Sequence, residues 1–154
     1  MAITVSGFYL KTWRDMINGT QLAVDLANDD IKCALFPLST VTPDYTLTGA
    51  SAYATAPYTT GNEIAGTGNY TQGGKSLTTK AFAENPTGTL IYSADSVSWT
   101  SSTITNAGAA LIYDNTLAGK NALCLVYFGG SYSTTAGTFT VQWQSSGILS
   151  LDLA

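Results

Sequence analysis

The sequence predicts a mainly β fold, an antiparallel β-sandwich or jelly roll with one short N-terminal helix. Three observations carry that expectation. Apolar and polar residues alternate through most of the chain after residue 75, the period of half-buried strands. Turn-forming residues punctuate these runs at the short spacing of an all-β domain. One stretch of helical period stands near the start.

The helix comes first. Ser6 is placed to cap it, and Tyr9, Trp13, Met16 and Ile17 recur at helical spacing, with Lys11, Arg14 and Asp15 off that stripe. Asn18-Gly19 is a stop signal, because glycine takes the left-handed conformation cheaply. Such a helix either packs on a sheet or docks a partner. The period then becomes two. Leu22, Val24 and Leu26 read as a strand, Asn28-Asp29-Asp30 as a turn, and Ile31, Cys33 and Leu35 as a second strand that Pro37 ends.

Residues 38–74 have no sustained period and hold Tyr45, Tyr53, Tyr58 and Tyr70. We expect a long ordered excursion with a helical turn near Ala50 to Ala54. Tyrosine gives large contact area with little entropy to lose, so this excursion is the expected partner surface. Tyr53 and Tyr58 are its expected anchors, with Tyr45, Tyr70 and the helix residue Trp13 beside them. The alternative is that these rings fold back onto their own sandwich.

From Lys75 onward strands dominate. Leu77, Thr79 and Ala81 alternate with Lys80 and Phe82, and residues 84–88 (Glu-Asn-Pro-Thr-Gly) read as a hairpin turn. Leu90-Ile91-Tyr92 follows, then Val97 and Trp99 among serines. Ala109 to Tyr113 and Leu123 to Phe128 are continuous apolar runs, as in strands buried on both faces, and Gly129-Gly130 closes the second. Phe139, Val141 and Trp143 face opposite to Thr138, Thr140, Gln142 and Gln144. After a turn at Ser145-Ser146-Gly147, Leu149, Leu151 and Leu153 alternate again, which reads as an antiparallel pair with the preceding strand. This places Trp143 and Leu151 in the core, where Trp143→Ala should cost about 3–5 kcal/mol. Residues 1–154 are expected to form one domain.

Composition narrows the chemistry. The chain has 154 residues, no histidine, 10% charged residues and a formal charge of −4. Histidine serves general acid–base, metal and nucleophile-activating roles, so its absence argues against catalysis. The six basic residues form no cluster, which argues against nucleic acid. No apolar run is long enough for a membrane span. Met1 to Val5 lack the pattern of a signal peptide, so we expect synthesis in the cytoplasm. Cys33 and Cys124 read as reduced, buried thiols; a disulfide would need their strands to be neighbours. No metal or cofactor is expected, because two cysteines without histidine make a poor zinc site. Gly68 to Ser76 falls short of a phosphate loop, since Asn69 stands where its first glycine must be. The ten carboxylates sit mostly in or beside turns and show no glycosidase pair by pattern.

Several stretches in order carry a resemblance. They are "IKCALF" (Ile31 to Phe36) after the helix, "NEIAGTGNYTQGGKSLT" (Asn62 to Thr78), "DSVSWTSSTIT" (Asp95 to Thr105), "ALIYDNT" (Ala110 to Thr116), "YFGG" (Tyr127 to Gly130) and "GTFTVQWQSSGILSLDL" (Gly137 to Leu153). Together they resemble a group of small tailed-bacteriophage structural proteins, several of them head decoration (cement) proteins. Asn69 and Gln72 depart from the group's pattern. The resemblance implies a non-enzymatic virion protein on the outer surface of the capsid, bound to the major capsid protein and to copies of itself. A trimer is the first expectation, because capsid lattices offer local three-fold axes. A tail or fibre component and a carbohydrate-binding module are the alternatives; exposed coplanar aromatic rings would favour the latter.

Overall fold

A computed structural model describes residues 3–18, 22–39, 51–84 and 88–152. The fold is an antiparallel β-sandwich with one short helix. Its larger sheet has the order β1-β7-β6-β2-β3, and its smaller sheet the order β4-β5-β8. The elements are β1 (Gly7–Phe8), α1 (Leu10–Ile17), β2 (Ile31–Phe36), β3 (Lys75–Ser76), β4 (Ala81–Glu84), β5 (Thr89–Ser93), β6 (Val97–Asp114), β7 (Ala122–Val141) and β8 (Leu149–Asp152).

The larger sheet is buried on both faces at its centre, as the continuous apolar runs predicted. On one face Ile31, Cys33 and Leu35 of β2 and Ala110 and Ile112 of β6 join Trp13, Leu26, Tyr92 and Leu149 in one cluster. That cluster joins the helix and the smaller sheet to the larger one. On the other face Ala34, Phe36, Leu111 and Tyr113 meet Ile3, Tyr9, Tyr53 and Tyr58. Each large apolar side chain buried this way contributes about 1.5–3 kcal/mol. An irregularity between Ile112 and Tyr113 shifts the β6–β7 register, so the neighbours Leu123 and Cys124 both face the first cluster. Cys33 and Cys124 are free and buried. Both flank Ile112 of β6, which separates their strands and prevents a disulfide. Burial raises both thiols, Cys124 up to about 12.

Several local expectations need correction. The helix starts at Leu10, with Tyr9 as N-cap and no side-chain capping bond. Ser6 instead accepts a hydrogen bond from the Tyr127 N–H, at 2.9 Å. Asn18 is the helical C-cap, and Gly19 lies outside the described residues. Tyr9 and Trp13 point inward, but Ile17 is 80% exposed. Leu22 to Leu26 alternates in burial as predicted yet forms no ladder with either sheet. Ser51 to Ala54 is no helical turn: Ala54 has φ of 65°, which ends any right-handed run. Ala50 lies outside the described residues.

The predicted run Leu77 to Phe82 breaks at Thr79, whose φ is 51°. Only Lys75–Ser76 and Ala81–Glu84 are strands, and all of β4 is exposed. The β4–β5 hairpin forms as read, with residues 85–87 outside the described set. Gly129-Gly130 does not end a strand. With φ of 80° at Gly129, β7 runs through both glycines for 20 residues. The expected pairing of the last two strands is also replaced. The turn at Gln144–Gly147 forms, but β8 pairs with β5, while β7 is held by β6. A short turn brings two strands close, yet pairing follows the partner that completes a buried face.

Trp143 and Leu151 lie at the margin of the first cluster and are half-buried. The indole N–H of Trp143 donates to the Asp95 carbonyl at 2.9 Å. Trp143→Ala is therefore expected to cost about 1–3 kcal/mol, below the full core value, measurable by urea unfolding. A loss above about 4 kcal/mol would place this ring at the centre of the core.

Candidate partner-binding surface

The residues expected at a partner surface are mostly turned into the chain itself. Tyr58 is 0% exposed, Tyr70 3%, Tyr53 6% and Trp13 9%. Tyr45 lies outside the described residues. The physical reason is a carboxylate. Glu63 is 4% exposed and gathers the excursion around itself. The Tyr53 hydroxyl donates to its Oε2 at 2.6 Å, and the Tyr70 hydroxyl donates to its Oε1 at 2.7 Å. The Gly73 N–H donates to both oxygens, at 2.9 and 3.0 Å.

Other bonds tie this knot to the larger sheet. The Leu35 N–H of β2 donates to the Tyr70 hydroxyl at 2.9 Å, and the Tyr113 hydroxyl of β6 donates to the Gly73 carbonyl at 2.8 Å. The Tyr53 ring stacks on Tyr113 with centroids 4.6 Å apart. Tyr58 hydrogen-bonds Tyr9 through the two hydroxyls and packs edge-on against Phe36. Burial raises the Glu63 carboxyl above its ordinary range, while its donors pull the other way. Burial and the Glu63 charge push the Tyr53 and Tyr70 hydroxyls upward.

The glycines of the excursion serve close approach. Gly68 has φ of 76°, and a side chain there would lie 3.0 Å from the Ser102 Cα. This is why a segment resembling a phosphate loop runs against strands. The departing residues have local partners: Asn69 Nδ2 donates to Thr100 Oγ1 at 3.1 Å, and Gln72 Nε2 donates to the Thr60 carbonyl at 2.6 Å.

The surface left for a partner lies elsewhere. A groove of about 770 Å³ opens between the helix, the extended segment after it and the smaller sheet. Trp13, Met16 and Ile17, then Leu22, Val24 and Leu26, then Phe82, Leu90 and Leu151 line it. Phe82 is 42% exposed and Ile17 80%, two of the few large apolar residues exposed in the described chain. A second groove of about 560 Å³ follows β7 past Tyr127 and Tyr132 and the polar row Thr138, Thr140 and Gln142. That half of β7 pairs with β6 alone, because β1 reaches only Cys124 and Leu125.

Among the described residues, Trp13 is thus the one expected contact residue that borders the apolar groove. Phe82 and Ile17 escaped sequence reasoning. The strand pattern assigned Phe82 to a polar alternation, and helical spacing assigned Ile17 to the buried stripe. The two grooves contain one carboxylate between them, Asp25, so neither carries an acid pair across a cleft. Among the described residues no three Cys, Asp or Glu side chains are gathered as metal ligands, and no helix is long and apolar enough to cross a membrane. A scan against protein-family models and searches of curated proteins and of solved structures find no match.

Proposed function

We propose that this chain is a non-enzymatic virion structural protein, a decoration or cement protein that binds the outer surface of a tailed-phage head. Its partners are the major capsid protein and copies of itself. The observation that carries the reading is the apolar groove with Phe82 and Ile17 at its open side. Apolar rings and depleted charge are what the centre of a protein interface requires. The resemblance supplies the kind of partner, and its stretches fall on the framework: β2, the Glu63 knot and strands β6 to β8. A protein that binds only the assembled lattice stabilises it by mass action. The sugar-binding alternative is less well supported. The stacked pair Tyr53–Tyr113 is buried, so it offers no platform to a saccharide.

The test is sedimentation of purified protein with phage heads that lack it, followed by electron microscopy. The parent chain should co-sediment and decorate the head. Phe82→Asp, at an exposed position, should fold and bind at least about 30-fold more weakly, the loss of one hot spot. Decoration confined to tails would support the tail-component alternative. Equal binding by the parent and by Phe82→Asp and Ile17→Asp variants would exclude this groove as the contact.

A further inference from the structure

One end of the sandwich is closed by a polar knot that holds a misfit. Asp114 ends the β2–β6 ladder opposite Ile31 and is 0% exposed. Its Oδ1 accepts the N–H groups of Thr116 and Leu117, at 2.8 and 3.3 Å. Its Oδ2 has no donor among the described residues. The Asp29 carboxyl lies against it, close enough to hydrogen-bond once one of the two carries a proton. Asp29 is fixed in turn, since its Oδ2 accepts the Asp25 N–H at 2.7 Å.

The neighbouring Asp30 lacks this problem. Ser76 Oγ donates to it at 2.5 Å and Asn115 Nδ2 at 2.8 Å. The nearby cations are engaged elsewhere: Lys80 Nζ donates to the Asp29 carbonyl at 2.8 Å, and Lys32 Nζ lies 3.9 Å from Asp30. A buried carboxylate oxygen without a donor is costly, and two facing carboxylates cannot both hold their charge cheaply.

We infer that Asp114 carries a proton that its orphaned oxygen donates to the Asp29 carboxyl, forming a latch between the Asp25–Asp30 turn and the β6–β7 connection that is closed in acid and weakened at neutral pH. When Asp114 is protonated, its O–H donates across the pair and the orphaned oxygen gains its partner. When Asp114 is ionised, its buried oxygen is left without a donor among the described residues and the contact becomes a like-charge repulsion.

The groups facing the pair set the balance. Burial raises the Asp114 carboxyl from 3.8 to about 6, with the charge of Asp29 adding to it and the Thr116 and Leu117 N–H groups opposing. Against burial, hydrogen bonds from Ser76 and Asn115 and the charges of Lys32 and Lys80 lower Asp30, and the Asn28 contacts, with Ala27 and Lys80, lower Asp25, so those two keep their charge beside the pair. From the smaller sheet the Tyr92 hydroxyl, itself without a partner among the described residues, feels the Asp114 charge and is raised, mainly by burial. Because the folded value of Asp114 lies above the ordinary one, its stabilisation is complete below the ordinary value. It is lost as pH rises through about 6. Glu63 is shifted in the same direction and adds to the slope of the parent chain.

Thermal unfolding across about pH 5 to about pH 7.5 tests the latch. The melting temperature of the parent should fall over this interval. Asp114→Asn and Asp29→Asn should each flatten the fall, because an amide N–H can donate across the pair at any pH, and each should exceed the parent at the upper end. Unchanged slopes in both variants, or a parent melting temperature that rises with pH, would overturn the inference. If Asp114→Asn does not fold, Asp29→Asn and a carboxyl carbon NMR titration of Asp114 in the parent decide. Titration in the ordinary aspartate range would also overturn it. Millimolar CaCl2 or MgCl2 that raises the melting temperature of the parent alone would identify a cation site instead.

Discussion

Glu63→Ala should destabilise the fold by about 3–5 kcal/mol, one of the largest losses for any single side chain outside the apolar core. The carboxylate contributes little contact area, so the cost arises from what it leaves behind. The hydroxyls of Tyr53 and Tyr70 and the N–H of Gly73 all lose an acceptor, and both tyrosines are buried. Each orphaned buried donor costs about 1–3 kcal/mol. Glu63→Gln keeps one carbonyl acceptor but turns an NH2 toward donors, so about 1–2 kcal/mol should be lost. Urea unfolding at constant m-value measures both. A loss below about 1 kcal/mol in Glu63→Ala would mean that water replaces the carboxylate and the knot is not closed. Tyr53→Phe and Tyr70→Phe, combined with Glu63→Gln, should show coupling, since all three side chains share one acceptor group.

This knot explains why the fold was legible in the sequence while the partner surface was not. Alternation is a local property of a strand, and it correctly assigned inward faces to Ile31, Cys33, Leu35, Phe139 and Val141. Pairing is not local. Nothing in the run from Leu149 says that Thr89 to Tyr92 will take it from its sequence neighbour. The same limit hid the role of the tyrosines. A ring in an aperiodic stretch is as free to turn inward as outward, and the direction depends on an acceptor at Glu63, between 7 and 10 residues from Tyr70 and Tyr53. A signal was present: a glutamate set among apolar and small residues, with three tyrosines within reach and no cation beside it. Phe82 was hidden for the opposite reason. The strand pattern set it on the same side as Lys80, opposite Leu77 and Ala81, and β4 is an edge strand whose four residues are all exposed.

Gly74→Ala is the second large expected effect, about 3–5 kcal/mol, and it tests how the excursion rejoins the sheet. Gly74 precedes β3 and has φ of 68°, in the left-handed region. A methyl group there would sit inside the van der Waals surface of the Cys33 carbonyl and 2.7 Å from the Ala34 Cα. Both obstacles are backbone atoms of β2, the strand buried on both faces, so they cannot rotate aside. Relief requires β3 to lift from β2, which breaks the pairing of Cys33 with Lys75 and of Lys32 with Ser76. It would also pull Ser76 away from Asp30 and loosen Gly73 under the Glu63 carboxylate. Gly88→Ala is the control. Its φ is 86°, yet nothing among the described residues lies within 4 Å of the added methyl, so only backbone strain of about 1–2 kcal/mol should appear. The difference between the two variants isolates the clash from the strain. If they differ by less than about 1 kcal/mol, β2 and β3 separate easily and the excursion is held by its tyrosines alone.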